Sequence, residues 1–465
     1  MPKRASCAVN STPEPEYCDM PLITEATPIA FCDPLPEAVD VVVIGAGIIG
    51  TSTAYFLAER GMKVLVCEKG RVAGEQSCRN WGWVRQQCRD WAELPIMMES
   101  NRIWQELAAR TGEKDLAFTA SGCLYLAQSE SEMVKYERWY DIAKQHQLDT
   151  RLLSAKEASA LVPDIDGPWL GGMLTASDGR AEPFVAVPAL ARAAAILGAS
   201  IVENCAVRTI EAQAGQIRAV VTERGRVRAD RVLLAGGAWS THFAANAGID
   251  LPQLMVRSTA GRTRAIAGAT IPTVWTEGFG IRLRDDGGYT IGTGDLAEHY
   301  VSAQSFKYFA KFLKLLKISA KDVRLKAWPP SGYPGAWTSK KRWSGGEVSP
   351  FEKMRVLNPP PSEEVRRRLE RRLPERAPWL ASTGIAELWA GMIDVTPDAV
   401  PYICEAPSPR GLFFGTGLSG HGFGIGPGVG RVLADLIQGH SPGHDLSRFR
   451  FNRFSDGSPI VPGPY

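Results

Sequence analysis

The run Val41–Gly70, VVVIGAGIIGTSTAYFLAERGMKVLVCEKG, decides the fold. Val41 to Ile44 are four consecutive apolar β-formers, the pattern of a strand buried on both faces. A glycine-rich turn follows, then a helical stretch from about Ile48 to Arg60, closed by Gly61 where a left-handed residue ends a helix. KVLVCEK reads as a second buried strand, and the whole run is about 30 residues, the size of one βαβ unit. Inside it, Gly45-Ala-Gly47-Ile48-Ile49-Gly50 is a G-x-G-x-x-G motif in its proper setting. Gly45 allows the tight turn out of the strand, Gly47 lets backbone approach a pyrophosphate, and Gly50 lets the helix lie close to the sheet. The helix N-terminus supplies an anion site. Glu68, at the end of the second strand, is placed to accept hydrogen bonds from a ribose diol. The motif by itself does not say which dinucleotide is bound.

Two later segments return to the same sheet. ADRVLLAGGAWS (229–240) is a buried strand running into the Gly236-Gly237 turn. GLFFGTGLSGHGFGIGPGVGRVLADLIQG (411–439) is a strand, a glycine-dense turn and a helix. Its glycines leave little side-chain bulk, so the backbone is expected to lie flat against a large planar ligand. N–H groups and a helix N-terminus would then face that ligand's electronegative edge. The C2 carbonyl and N1 of an isoalloxazine fit this description.

Between these segments the chain is less regular. Gly74–Asp90, GEQSCRNWGWVRQQCRD, shows neither a helical nor a strand period. It follows Glu68, so a cofactor lying along the first helix runs toward it. Gln76, Ser77 and Asn80 can hydrogen-bond diphosphate and ribityl oxygens, and Gly82 would let backbone approach the ring. Arg79, Arg85 and Arg89 remain open between phosphate neutralisation, substrate attraction and plain surface. Trp81, Trp83, Trp275 and Trp389 either line an apolar pocket or sit in the core. In IRLRDDGGYTIG a two-residue turn at Asp286-Gly287 would set Arg284 opposite Tyr289 on one face, with Leu283 and Thr290 on the other. Such a pair reads as a carboxylate anchor or as an exposed cross-strand pair. His421 lies in the glycine-dense turn, either facing the ring's polar edge or serving as a structural donor.

Residues 303–317, AQSFKYFAKFLKLLK, predict one amphipathic basic helix with Phe306, Phe309, Leu313 and Leu316 on a common face. The simplest reading packs that face on a sheet and leaves the lysines in solvent; the alternative is contact with a membrane surface. Residues 362–377 predict a surface helix with Ser362 as N-cap. The six histidines are dispersed, so no metal site is expected.

The chain has 465 residues and a net charge of +3, which favours two domains and gives no reason to invoke nucleic acid. Nine scattered cysteines without a C-x-x-C pair read as reduced thiols, and no apolar run is long enough to span a membrane. The N-terminus has a basic start with no apolar region behind it, so a cytoplasmic protein is expected.

Together VVVIGAGIIG…CEKG, GEQSCRNWG, VLLAGGAWS, GMIDVTPDAVPYI and GLSGHGFGIGPGVG resemble the FAD-dependent amino-acid oxidase/dehydrogenase family, the D-amino-acid oxidase-like or glycine oxidase-like flavoproteins. The resemblance covers roughly residues 39–456. It implies an α/β fold: a Rossmann-like FAD-binding domain interleaved with an α+β substrate domain on a mostly antiparallel sheet. The implied division is an extended arm (1–38), an FAD domain (39–112, 184–258, 384–456), a substrate domain (113–183, 259–383) and a tail (457–465). Carried onto this chain, FAD contacts fall at Gly45, Gly47, Ile48, Ile49, Gly50, Glu68, Lys69, Gln76, Ser77, Asn80, Trp81 and Gly82. Further contacts fall at Val207, Gly236, Trp239, Gly420, Gly422, Phe423 and Gly424. Sarcosine oxidase-like members attach flavin to a cysteine where this chain has Gly391, so non-covalent FAD is expected. The implied chemistry is oxidation of the CH–N bond of an amino acid or secondary amino acid by hydride transfer to flavin N5, giving an imine that hydrolyses to a keto product. Arg284, Tyr289 and His421 are the substrate-side candidates, and the acceptor is oxygen or a quinone pool. Alternatives are a flavin-binding subunit of a heteromeric dehydrogenase and an NAD-linked dehydrogenase. Oligomeric state and peripheral membrane contact stay open.

Overall fold

The computed structural model of the chain describes residues 22–266 and 271–463. Most of the expected N-terminal arm (1–21) and the end of the tail (464–465) therefore lie outside the described residues. The described part of the arm runs along the molecule: Ala30 and Phe31 donate backbone N–H bonds to Glu203, and Ile23 is buried.

The βαβ unit forms as its residues dictate. Val41–Ile44 and Val64–Cys67 are parallel neighbours, buried throughout, and Ile48–Glu59 joins them. They lie in a six-stranded sheet, in order Tyr402–Glu405, Leu412–Thr416, Arg231–Leu234, Val41–Ile44, Val64–Cys67, Ser200–Val202. Only Tyr402–Glu405 runs antiparallel to its neighbour. Eleven of the twelve residues of Ile48–Glu59 are buried, between the sheet and the helices Pro183–Ile196 and Gly422–Gln438.

The second sheet has ten strands and is mostly antiparallel, with parallel pairs only where Thr273–Thr276 meets Cys123–Ala127 and where Ala297–Tyr300 meets Val323–Lys326. The helix Glu363–Arg376 buries Val365, Leu369 and Leu373 on it. Its expected cap does not form: the Ser362 hydroxyl is drawn to Glu298 instead. Ile385–Val395, expected with the nucleotide side, pairs along its length with Leu254–Thr263 in this large sheet. It is the strand by which the two halves share a wall.

Two local expectations are corrected. The hairpin register is shifted by one residue: Leu283 faces Tyr289 and Arg282 faces Thr290. The cause is a three-residue loop in which Gly287 N–H donates to Arg284 O, Arg284 N–H donates to Gly288 O, and Gly287 is left-handed (φ +78°). Arg284 and Tyr289 thus point to opposite faces. The basic segment is not one helix but two, Ala303–Lys307 and Phe309–Ser319, broken at Tyr308, whose hydroxyl donates to Asp250 at 2.7 Å. Its apolar face is not packed on a sheet: Phe306, Phe309, Leu313 and Leu316 are exposed.

Candidate functional site

Both halves line one cavity of about 1590 Å³. At its nucleotide end the helix Ile48–Glu59 starts at Gly47 without a side-chain cap or an acid in its first turn. The helix Gly422–Gln438 starts at His421 in the same uncapped state. Two positive helix ends thus open into the cavity. Glu68 stands beside them, its carboxylate fixed by N–H donors from Ala46 and Gly70, both at 2.8 Å. Burial raises its pKa, opposed by Lys69.

The irregular strip Gly74–Asp90 is held by protein as well as aimed at the cavity. Its first part is a helical turn, Gln76–Arg79, and Trp83–Val84 pairs with Gly179–Arg180. Ser77 accepts the Ile48 N–H at 2.9 Å, tying the strip to the first helix. Arg79 is consumed structurally by the carbonyls of Gly74, Glu75 and Ile23. Asn80 bonds within its own loop, to Ser77 O and Gly82 N.

Of the expected cofactor contacts, Gly45, Gly47, Ile48, Ile49, Glu68, Lys69, Gln76, Ser77, Asn80, Trp81, Val207, Gly236, Trp239, Gly391, Gly420, Gly422, Phe423 and Gly424 line the cavity. Gly50 and Gly82 do not. A Cβ on Gly50 would fall 2.0 Å from Gly45 O, and one on Gly82 2.5 Å from Ala181 O. Gly50 is glycine because the turn and Val43 of the first strand lie against the helix, the close packing its motif position predicts, and Gly82 because protein backbone, not a ring, approaches it. The glycine-dense turn is corrected likewise. Cβ atoms on Gly426 and Gly430 would strike Ile48 and Ser52, so these glycines let two helices cross. Lys69 is spent on Glu75, Met354 O and Arg355 O, beneath the Trp239 ring.

Sequence reasoning missed two carboxylates. Glu75 gathers Lys69, the Trp239 indole N–H and Leu357 N–H. Asp394, buried, takes Gly417 N–H at 2.6 Å and so fixes the turn before the C-terminal helix; burial raises its pKa. Glu75 lies in the quoted strip and Asp394 in GMIDVTPD, so position beside motifs was the available signal.

At the other end Trp81, Trp83, Trp275 and Tyr125 form an aromatic wall, with ring centroids 5.3 Å apart for Trp81–Trp83 and 6.1 Å for Tyr125–Trp275. The Arg85 guanidinium lies 5.9 Å over Tyr125. Arg89 and His421 share this end, with Glu93 Oε2 3.4 Å from His421 Nδ1. Burial, then Arg89, lowers the His421 pKa, with Glu93 pulling the other way. Trp389 instead is buried, donating to Arg79 O. Arg284 and Tyr289 do not line the cavity: Arg284 is buried against Asp286 and Phe184, and Tyr289 packs on Trp379.

The family model described as FAD dependent oxidoreductase matches residues 40–436. The chain belongs to that family. Its cofactor is FAD, and an NAD-linked dehydrogenase is set aside. The cavity fits this cofactor: it exceeds the ~300–1,000 Å³ of ordinary ligand pockets, and its two uncapped helix ends suit an anionic diphosphate and an electron-rich ring edge. This oxidoreductase is 25% identical to sarcosine dehydrogenase, mitochondrial, of Mus musculus over 90% of its own length and 42% of the relative's. It therefore spans less than half of that curated relative. Among solved structures it is similar to L-amino acid deaminase from Proteus myxofaciens in complex with anthranilate, at 30% identity and TM-score 0.87 over 93% of this chain and 97% of the other. L-proline dehydrogenase from P.horikoshii matches at 26% identity and TM-score 0.75, over 91% of this chain and 100% of the other.

Proposed function

We propose that the chain oxidises the CH–N bond of an amino acid or N-alkyl amino acid, with FAD held non-covalently. The observation that carries this reading is the cavity itself. One end is a flavin cradle, and the other sets two arginines and a histidine beside an aromatic wall. The similar proteins are named for sarcosine, proline and L-amino acids, which share a carboxylate next to an oxidisable C–N bond. Gly391 offers no side chain to a flavin, in keeping with non-covalent retention.

When bound, the flavin supplies an electron sink that accepts a hydride from the substrate α-carbon. Glu68 would hold the ribose, and the N-termini at Gly47 and His421 would face the diphosphate and the ring edge. Arg85, on the cavity wall, takes over from Arg284 as the carboxylate anchor, a planar fork suited to that group. Arg89 adds positive charge behind it. The aromatic wall excludes water and receives the substrate's apolar part. Burial and Arg89 favour the neutral form of His421, whose Nδ1 lies toward Glu93, so its ring can accept a hydrogen bond from the substrate amine and hold it for oxidation.

The test is an absorption spectrum of the purified protein, followed by anaerobic titration with D- and L-amino acids, N-methyl amino acids and opines. Flavin bands bleached by at least one member support the reading; bands that none of them bleaches overturn the substrate class.

A further inference from the structure

The segment 303–345 carries ten lysines and arginines against one acid, Asp322. That is a net +9 in a chain whose total is +3, so the remainder carries −6. The same stretch holds eight of the sixteen exposed large apolar side chains among the described residues. Phe306 (68% exposed), Phe309, Leu313 and Leu316 form an outward stripe, continued by Ile318 and by Leu325 on the edge strand Val323–Lys326. The helix Phe309–Ser319 is anchored from its other edge, where Phe312 and Leu315 pack with Leu254, Tyr308 and Val395. Lys314 and Lys317 are exposed along the stripe, and Lys321 follows at its end.

We propose that this face docks on an anionic phospholipid surface. An apolar stripe edged by lysines is how a helix lies in a bilayer interface. Each basic residue near anionic headgroups adds roughly 1 kcal/mol. Phe309–Ser319 has 11 residues, about 16 Å at 1.5 Å per residue. That is far short of the ~30 Å hydrocarbon core, so the helix lies along the surface. The exposed indoles of Trp328 and Trp337 fit the headgroup level, where tryptophan concentrates. A protein partner fits less well, because protein interfaces are depleted in lysine. Lys307 and Lys326 are partly neutralised by Asp250 and Glu298, leaving Lys314, Lys317 and Lys321 as the charges to test. Phe309, Leu316, Ile318 and Leu325 also line the cavity, so docking lays its mouth against the lipid. The proposal does not depend on the catalytic reading, and it is read without activity.

The experiment is flotation of the purified flavin-loaded chain with vesicles of phosphatidylglycerol and phosphatidylcholine in equal parts, and with phosphatidylcholine alone. The protein floats with the anionic vesicles, floats far less with the neutral ones, and is released by salt. Leu313→Asp with Trp328→Asp, both exposed and outside the cavity lining, abolishes flotation while flavin absorbance and melting temperature stay unchanged. Lys314→Gln and Lys317→Gln each weaken partition roughly fivefold. A wild-type chain that stays in the dense fraction, or an aspartate variant that floats equally, overturns the proposal. So does a concentration-dependent dimer that these aspartates dissociate in the absence of vesicle binding, because a second copy then covers the stripe.

Discussion

Ile48–Glu59 and Phe309–Ser319 are helices of nearly equal length, both rich in apolar residues, and the molecule treats them in opposite ways. The first buries eleven of its twelve residues; the second buries only Phe312. Apolar content does not separate them, but what lies between the apolar residues does. In Ile48–Glu59 the intervening positions are Gly, Ser, Thr and Ala, small enough for the sheet on one side and two helices on the other. In Phe309–Ser319 a lysine recurs every third residue, so only a narrow edge can be buried and the remaining apolar stripe faces out.

The largest effect should come from closing the first helix's contact with its own turn. A side chain at Gly50 meets Gly45 O, a backbone atom that cannot step aside. Gly50→Val should cost more than about 4 kcal/mol, seen as loss of flavin absorbance and of a cooperative melt. A folded, yellow variant with a normal melting temperature would break the comparison at its root.

Charges show the same contrast. Lys314 and Lys317 of Phe309–Ser319 are exposed, whereas Arg282 is fully buried and grips Glu182 through two bonds of 2.7 and 3.0 Å. Glu182 immediately precedes the helix Pro183–Ile196, so this pair clamps the large sheet's hairpin to the nucleotide side. Arg282→Met should cost about 3–5 kcal/mol by removing the nearest charge partner of a buried carboxylate, which keeps Arg180 at 3.5 Å and the Asp285 N–H at 3.0 Å. Burial pushes the Glu182 pKa up, but Arg282, with Arg284 and the Asp285 N–H, outweighs it and holds the carboxyl at about 2. A depressed carboxylate stabilises fully above its ordinary 4.5, and the stabilisation fades as pH falls from there toward about 2. Denaturant melts across that window should show the acid-side loss in the wild type and a much smaller one in Arg282→Met, where Arg284 and the Asp285 N–H still favour the charged form.

At the start of the first helix the effect becomes local. Ser77 accepts the Ile48 N–H and lies 3.0 Å from where a Gly47 Cβ would be. Ser77→Trp should fill the approach to that helix end and abolish flavin retention. Overpacking adds a stability cost of about 1–3 kcal/mol, read from the melt of the flavin-free forms. A variant that retains its flavin would move the cofactor away from this strip.

The nucleotide side was legible because its signals are local. Gly45, Gly47 and Glu68 follow from spacing within one βαβ unit, and the wall residues Trp81 and Trp83 follow by adjacency. Arg284 and Tyr289 were misjudged because one bulged residue at Gly287 reverses which side chains share a face, and alternation alone does not reveal it. The glycines of the C-terminal turn were legible as close approach but not as to what: Gly426 and Gly430 meet Ile48 and Ser52, each 378 residues earlier in the chain. The outward stripe was hidden for a related reason. An amphipathic pattern tells which face is apolar, and only tertiary context tells whether anything covers it.

That last point has the smallest expected effect and tests the comparison most directly. Leu57, in the first helix, is fully buried, and Leu57→Ala should cost about 2–5 kcal/mol through lost contacts and a cavity. Leu313 sits at the same kind of helical position but is 38% exposed. Leu313→Ala should change stability by less than about 0.5 kcal/mol, as surface substitutions do. Its sign can even favour the variant, because alanine is the better helix former. Paired denaturant melts of the two variants in dilute solution measure the difference. If Leu313→Ala costs as much as Leu57→Ala, the stripe is covered in the free protein, and the contrast between the two helices falls.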